Sequence, residues 1–203
     1  MLLSAKLEMM DAPNPIFNPH HHRQRYTMSV LIAIATAHNS TREIGQRIAA
    51  RLGTHVAGPI EVRDASTIPA GGIAPYSAVI LGSAVHAQSW LSAARKLAHT
   101  ERVELAKRPV WAFSVGVPDT AAHATAEEAK LAGDVRRQIP ALRSHVLFKG
   151  KVEKDHIPWP ANLIFNWFPN LWRFGDFVEW EKVDAWADEV GKDLKVVVGE
   201  GRI

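Results

Sequence analysis

Four short, almost purely apolar segments, separated by longer mixed segments, are the feature of this sequence that most restricts its fold. Such segments are typical of strands that are buried on both faces of a parallel sheet. They read SVLIAIA (29–35), SAVILGS (77–83), PVWAFSV (109–115) and SHVLFKG (144–150). A fifth segment, IEVRDAS (60–66), alternates apolar and polar residues, which predicts a strand at an edge of that sheet.

Apolar residues recur at helical spacing between these strands, as at Ile44, Ile48 and Leu52. Helices are predicted near 41–53, 89–106 (with Ser89 as the N-cap), 124–138 and 179–195. The alternation predicts an α/β fold with a doubly wound, five-stranded parallel sheet in a three-layer α/β/α arrangement. Such sheets bind ligands at the carboxyl ends of their strands.

Composition excludes several classes of function. The 203 residues include no cysteine, so disulfides, thiolate metal sites and cysteine nucleophiles are excluded. His20, His21 and His22 could bind a metal, but we interpret them as an accidental run in the N-terminal segment and predict no metal site. The net charge is only +3, without a run of like charges, so we expect no nucleic-acid partner.

Residues 1–27 are rich in Pro and His and lack periodicity, which predicts a disordered N-terminal extension before one domain at 28–203. Without an apolar run that could span a bilayer, a cytoplasmic protein is expected.

The loop after the first predicted strand, at residues 36–41 (TAHNST), is the clearest candidate site. The start of the following helix offers unpaired backbone N–H groups and the positive end of the helix dipole, both of which attract anions. Hydroxyl groups from Thr36, Ser40 and Thr41 would complete a cradle for a phosphate. The alternative is that Ser40 or Thr41 only caps the helix.

Two further loops follow the third and fourth of the predicted strands, and the parallel arrangement places them beside the first loop. Their small residues would let the backbone approach a flat ligand, and Val85 or His86 would lie against its ring. For the loop after the third predicted strand, the alternative is an ordinary strand-to-helix turn. The candidate contact residues are Ser83, Ala84, Val85, His86, Ala87, Ser114, Val115 and Gly116.

The first loop resembles the phosphate loop of flavodoxins, Ser/Thr-x-Thr-Gly-x-Thr, which holds the phosphate of FMN. Thr36 and Thr41 match its first and last hydroxyl positions, whereas His38 replaces the second and Asn39 replaces the Gly. Asn tolerates a left-handed conformation better than most residues other than Gly. The resemblance implies FMN as the cofactor and the next two loops as the walls around the flavin ring. It leaves the redox chemistry to the flavin, so no catalytic residue is assigned, and His86 is the candidate proton partner.

A longer resemblance is to the subset of flavodoxin-like proteins that includes the menaquinone-dependent protoporphyrinogen oxidase of bacteria. It is carried by TREI (41–44), by residues 86–116 and by GDFVEWEKVDAWADEV (175–190), with Gly175-Asp176-x-x-x-Trp180 as its best motif. Members of this subset have a long insert in the last strand–helix crossover, which corresponds here to residues 151–178. The resemblance implies a quinone or another redox partner.

The insert is dense in aromatic residues between 157 and 177 (IPWPANLIFNWFPNLWRFGDF). Three interpretations are open: a segment that lies on a membrane surface, a lid over a flat substrate, or an aromatic cluster packed on the sheet. Three functions are open as well. The first is an FMN oxidoreductase, the second is an electron carrier without a substrate of its own, and the third is an interaction module that has lost FMN.

Overall fold

The computed structural model describes residues 28–117, 121–152 and 175–199. Its strands are β1 (Val30–Ala35), β2 (Ile60–Asp64), β3 (Ala78–His86), β4 (Ser89–Trp90), β5 (Val110–Gly116), β6 (Leu142–Lys149), β7 (Lys151–Val152) and β8 (Gly175–Asp176). Its helices are α1 (Ser40–Leu52), α2 (Ser92–Thr100), α3 (Arg102–Leu105), α4 (Ala121–Gln138) and α5 (Trp180–Gly199), with a short 3-10 turn at Ala65–Thr67. The extension predicted at 1–27 and residues 153–174 of the aromatic insert lie outside the described residues.

Five strands form one parallel sheet in the order β2-β1-β3-β5-β6. β2 lies at one edge, as its alternating sequence predicts. The short strands β7 and β8 pair with each other in an antiparallel manner, so the two ends of the insert meet beside the carboxyl edge of the sheet. The predicted doubly wound parallel sheet is confirmed.

Two apolar layers cover the sheet. Helices α1 and α5 pack on one face, where Ile32, Phe113 and Trp186 belong to the same buried cluster. Helices α2 and α4 pack on the other face, around Leu81 and Leu131. Side chains of successive residues point to opposite faces of a strand, so each buried strand supplies both layers. This is the three-layer arrangement predicted from the alternation of strands and helices.

Helix α1 is fixed against α5 by a row of paired charges. The Arg47 guanidinium donates two hydrogen bonds of 2.7 Å to Asp184, and Arg51 binds Asp188 in the same bidentate way at 2.6 and 2.7 Å. His55 also contacts the Asp188 carboxylate, at 2.6 Å. These contacts hold the pKa of Asp188 well below its usual range, with the Arg51 hydrogen bond as the largest cause. The row joins α1, whose first turn follows the predicted phosphate loop, to α5.

The prediction of one helix over 89–106 is wrong. Ser89 and Trp90 form β4, which pairs with the end of β3 in an antiparallel manner. α2 begins only at Ser92, its N-cap position is Leu91, and the predicted N-cap at Ser89 is therefore also wrong. The cause is tertiary. β3 extends past its neighbours in the sheet, and the chain then reverses direction and pairs with it as β4. Residues 89 and 90, which helical spacing assigned to the first turn of the helix, therefore belong to β4.

The central strand β3 depends on the absence of a side chain at Gly82. A Cβ at this position would lie 2.3 Å from Cζ of Phe113, which is its partner in the β3–β5 register. Phe113 is itself held by two aromatic contacts, an edge-to-face contact with Trp186 at a centroid distance of 6.1 Å and a tilted contact with Phe148 at 5.9 Å. The ring cannot move aside without disturbing this cluster.

We therefore expect Gly82→Ala to lower the free energy of unfolding by about 2–3 kcal/mol, the upper range for overpacking a core. Gly133→Ala is the matched control, because a Cβ at this position of α4 would meet only Arg137 Nη1, at 3.8 Å. Removing a glycine from a helix interior should stabilise the protein by about 1 kcal/mol. Urea unfolding of both variants measures the two effects, and equal effects of the two substitutions would contradict this account of Gly82.

Candidate functional site

The carboxyl ends of three strands lie side by side at one edge of the sheet. In the register of the sheet, Ser83 of β3 lies between Ala35 of β1 and Ser114 of β5. One residue further along, Ala84 is opposite Val115. The three loops that the sequence singles out therefore begin at neighbouring positions.

Close contacts connect these loops. A Cβ placed on Gly116 would lie 3.7 Å from Cβ of Val85, so the loops after β3 and β5 touch. A Cβ on Gly150 would lie 2.7 Å from Cγ1 of Val115 and 3.3 Å from Oγ of Ser40. The backbone after β6 thus lies between the start of α1 and the end of β5, and the absence of a side chain at Gly150 allows this packing.

The loop at 36–41 has a left-handed residue at Asn39, the position at which the sequence suggests one. Asn39 is the N-cap residue of α1 and has a left-handed conformation, with φ of 68°. Its carbonyl oxygen accepts the first hydrogen bonds of the helix, from the N–H groups of Arg42 and Glu43. Its side chain makes no capping hydrogen bond. Since Ser40 and Thr41 lie inside the helix, the alternative that one of them is the cap is wrong.

Two hydroxyl groups in this loop are buried without a partner. Oγ1 of Thr36 and Oγ1 of Thr41 have no hydrogen-bond partner among the described residues. Burying a hydroxyl group unpaired is costly, and such groups in native proteins commonly serve a ligand. Thr41 lies in the first turn of α1, where the helix dipole favours an anion, and Thr36 directly follows β1 at the start of the same loop. This arrangement suits a phosphate group, and it occurs at the first and last hydroxyl positions of the flavodoxin motif.

The cations beside this loop are already paired with carboxylates. Arg42 contacts Asp64 at 3.1 Å. Lys151 contacts Glu43 at 2.6 Å and Asp176 at 3.3 Å. The hydrogen bond that Lys151 donates to Glu43 is the largest cause of the raised pKa of Lys151. An anion at the loop would therefore rely on backbone N–H groups and hydroxyls more than on these side-chain cations.

The loop after β3 is a tight hairpin. Val85 pairs with Trp90 and His86 pairs with Ser89, and both intervening residues have positive φ angles: 48° at Ala87 and 58° at Gln88. Two left-handed residues in a row are typical of a two-residue type I′ turn, which favours Asn and Gly at these positions. His86 and Ala87 are exposed at the tip, and His38 and Asn39 are exposed on the first loop.

The two predicted serines use their side chains inside the protein. Ser83 Oγ accepts a hydrogen bond from the Leu91 N–H at 3.0 Å and donates one to the Ala84 carbonyl at 2.8 Å. Ser114 Oγ contacts Nε1 of Trp90 at 2.7 Å and Nε2 of His145 at 2.8 Å. A contribution of either serine to a ligand at the edge would therefore come from its backbone.

Sequence reasoning missed His145 and Glu127. Oε1 of Glu127 lies 3.8 Å from the position of a Cβ on Gly116, beside the end of β5, and burial raises its pKa. Burial lowers the pKa of His145 to about 4. Neither residue lies in a loop after a strand, so no local signal marks it. Only the packing of α4 and β6 brings them near the edge.

The lowered pKa of His145 predicts a pH-dependent stability. The folded protein favours neutral imidazole, whereas the unfolded chain binds a proton near its ordinary pKa of 6.5. This contribution to stability is therefore complete above about pH 6.5 and is lost as the pH drops towards 4, with about 2–3 kcal/mol lost by pH 4.5. Between pH 7 and pH 4.5, the free energy of unfolding measured with urea should fall by about 2–3 kcal/mol more in the wild type than in His145→Gln. The exposed His99, replaced in the same way, is the control, and parallel pH profiles for wild type and His145→Gln would contradict the prediction.

Other features of the described residues do not form a competing site at this edge. A cleft of about 270 Å³ lies between α2 and α4, next to Arg95 and Leu131, and none of the predicted contact residues lines it. Within the described ranges, no cluster of His, Asp and Glu side chains could hold a metal ion. No helix in those ranges is long and apolar enough to cross a membrane.

Fold and site together define a doubly wound α/β protein with a phosphate-loop-like helix start at the carboxyl edge of its sheet. The family model described as "Flavodoxin domain" matches residues 31–167. This chain belongs to the flavodoxin domain family, and this membership supports FMN as its cofactor. Comparison with curated protein sequences finds no significant match.

Solved structures share the fold at low sequence identity. Flavodoxin 1 from Bacillus cereus is 14% identical with a TM-score of 0.54, and the match covers 81% of this chain and 97% of that one. A flavodoxin from the domain Archaea is 12% identical with a TM-score of 0.51, covering 83% and 99%. Rubredoxin oxygen:oxidoreductase from Desulfovibrio gigas is 14% identical with a TM-score of 0.55, and 84% of this chain covers only 37% of that larger protein.

Proposed function

We propose that this protein binds FMN at the carboxyl edge of its sheet and acts as an electron-transfer flavoprotein. The observation that carries the proposal is the pair of buried hydroxyls of Thr36, directly after β1, and Thr41, in the first turn of α1, which have no hydrogen-bond partner among the described residues. A phosphate would accept a hydrogen bond from each of them and from the first N–H groups of the helix. Bound FMN would supply the redox chemistry, and the protein would supply position and polarity.

Binding requires a small movement of the first loop. The Oγ1 atoms of Thr36 and Thr41 are closed off from solvent, whereas Ala37, His38 and Asn39 are exposed. A shift of these three exposed residues would open a path to the hydroxyls without disturbing the buried start of α1. His38 takes the place of a hydroxyl residue of the motif, so a contact at this position would have to come from its backbone or its ring.

The flavin ring would lie beside the ends of β3 and β5. Val85, His86 and Ala87 would form one wall, and the backbone at Val115 and Gly116 would form the other. Gly116 has no side chain to obstruct the ring, and the nearby Glu127 carboxyl adds polarity at this position.

Replacing Thr41 with Val tests the phosphate cradle. The isosteric change removes a hydroxyl that has no hydrogen-bond partner among the described residues, so the free energy of unfolding without FMN should stay the same or rise. FMN affinity should fall about tenfold or more, because a hydrogen bond to a charged phosphate is lost. Fluorescence titration of FMN into FMN-free protein and urea unfolding measure the two quantities.

Thr54→Val is the matched control. Its hydroxyl donates to the Arg51 carbonyl at the opposite end of α1, at 2.8 Å, so this substitution should leave FMN affinity unchanged. A wild-type protein that neither carries nor takes up FMN would contradict the proposal and leave the interaction module as the function. Equal FMN affinity in wild type and Thr41→Val would remove Thr41 from the cradle.

We further propose an oxidoreductase with a quinone as the electron acceptor, and protoporphyrinogen as its candidate substrate. The support is the sequence resemblance, whose Gly175-Asp176 pair forms β8 and whose Trp180 begins α5. Contact of the segment 157–177 with a membrane surface would give access to such a lipid-soluble acceptor, and residues 157–174 of that segment lie outside the described residues.

An activity assay distinguishes the enzyme from the carrier. FMN-loaded protein should oxidise protoporphyrinogen in the presence of a menaquinone analogue, at a rate that depends on the quinone concentration. Heat-inactivated protein with free FMN is the control. Reduction and reoxidation of the flavin without turnover of protoporphyrinogen would instead favour an electron carrier.

A further inference from the structure

The β3–β4 hairpin is a strained element at the proposed flavin edge. Its two tip residues, Ala87 and Gln88, both have the left-handed conformation that glycine and asparagine adopt most readily. Such strain persists only where the surrounding structure holds it, and it clusters at functional sites. The contacts that hold this hairpin therefore bear on the proposed site.

Buried hydrogen bonds at its base provide that support. Trp90, on the returning strand, is 5% exposed, and its Nε1–H donates to Ser114 Oγ at 2.7 Å. Ser83 Oγ accepts from the Leu91 N–H, which ties the residue after Trp90 back to β3. At the tip, the exposed Gln88 side chain accepts from Lys130 Nζ of α4 at 2.9 Å. The buried contacts, which are shielded from competition with water, are the stronger restraints.

The hydroxyl that accepts from Trp90 makes a second contact. An indole N–H can only donate, so Ser114 Oγ accepts from Trp90, and the same oxygen lies at a hydrogen-bonding distance of 2.8 Å from His145 Nε2. Three residues on β4, β5 and β6 thus form one buried chain of hydrogen bonds, and its first member lies at the base of the hairpin.

We propose that Trp90, Ser114 and His145 are positioning residues for the cofactor: their buried chain of hydrogen bonds sets the place of the β3–β4 hairpin against the flavin. The inference rests on the proposed FMN site. None of the three side chains needs to touch the cofactor, because the hairpin residues 85–87 make the contact. The Trp90 indole is the link between that contact and the sheet.

Trp90→Phe is the test, with Trp111→Phe as the matched control. Both substitutions remove an indole N–H and leave an aromatic ring in the core. Trp111 is 1% exposed and its Nε1–H donates to Asp193 at 3.2 Å, on the α1–α5 side of the sheet. We expect Trp90→Phe to weaken FMN binding about tenfold and to change the visible circular dichroism of bound FMN, and Trp111→Phe to change neither.

A second measurement needs no cofactor. Amide hydrogen exchange in FMN-free protein should become faster at residues 84–91 in Trp90→Phe, relative to the wild type and to Trp111→Phe. Ser114→Ala should reproduce both effects, and it serves as the test if Trp90→Phe does not fold. Unchanged exchange and unchanged FMN affinity in Trp90→Phe and Ser114→Ala would overturn the inference, as would equal losses of FMN affinity in Trp90→Phe and Trp111→Phe. If the wild type binds no FMN, the proposed function fails, while the exchange comparison still decides whether the chain holds the hairpin.

Discussion

The pairing of β3 on both sides is the constraint on which the rest of this structure depends. Its residues face both apolar layers, and it lies between β1 and β5 in the sheet. This strand reaches further than its neighbours, so its last residues leave the sheet and form a hairpin at the carboxyl edge. The close approach of Phe113 to Gly82 fixes the spacing to β5. A shift of β3 would move the candidate site and both layers together.

Hydroxyl groups at this edge divide into two kinds by what they contact. Ser83 and Ser114 are buried and each has two hydrogen-bond contacts within the protein. Thr36 and Thr41 bury hydroxyl oxygens that have no partner in the described part of the chain. The serines therefore stabilise the hairpin and the strand ends, whereas the threonines keep donors available for an anion. The two serines thus shape the site, and the two threonines would bind the phosphate.

Charge near the first loop is balanced before any ligand arrives. The pairing of Arg42 with Asp64, and of Lys151 with Glu43 and Asp176, holds α1, β2 and the β7–β8 arms together at the mouth of the site. Partly exposed pairs of this kind contribute little stability individually. Because these cations are already paired with carboxylates, a phosphate would be attracted mainly by the positive end of the α1 dipole and by the hydroxyl groups.

The sequence by itself determined the order of strands and helices, the edge position of β2, and the loops at the carboxyl ends, because apolar periodicity reports which residues are buried in each element. It also marked Asn39 as a residue suited to a left-handed turn. Only the tertiary structure decided that residues 89–90 leave the predicted helix, and that Trp90 and His145 meet Ser114 from 24 and 31 residues away. Periodicity is a local property, whereas the partner of a buried polar group is set by how distant segments pack. The engaged hydroxyls of Ser83 and Ser114 could therefore be told from the free hydroxyls of Thr36 and Thr41 only in the folded chain.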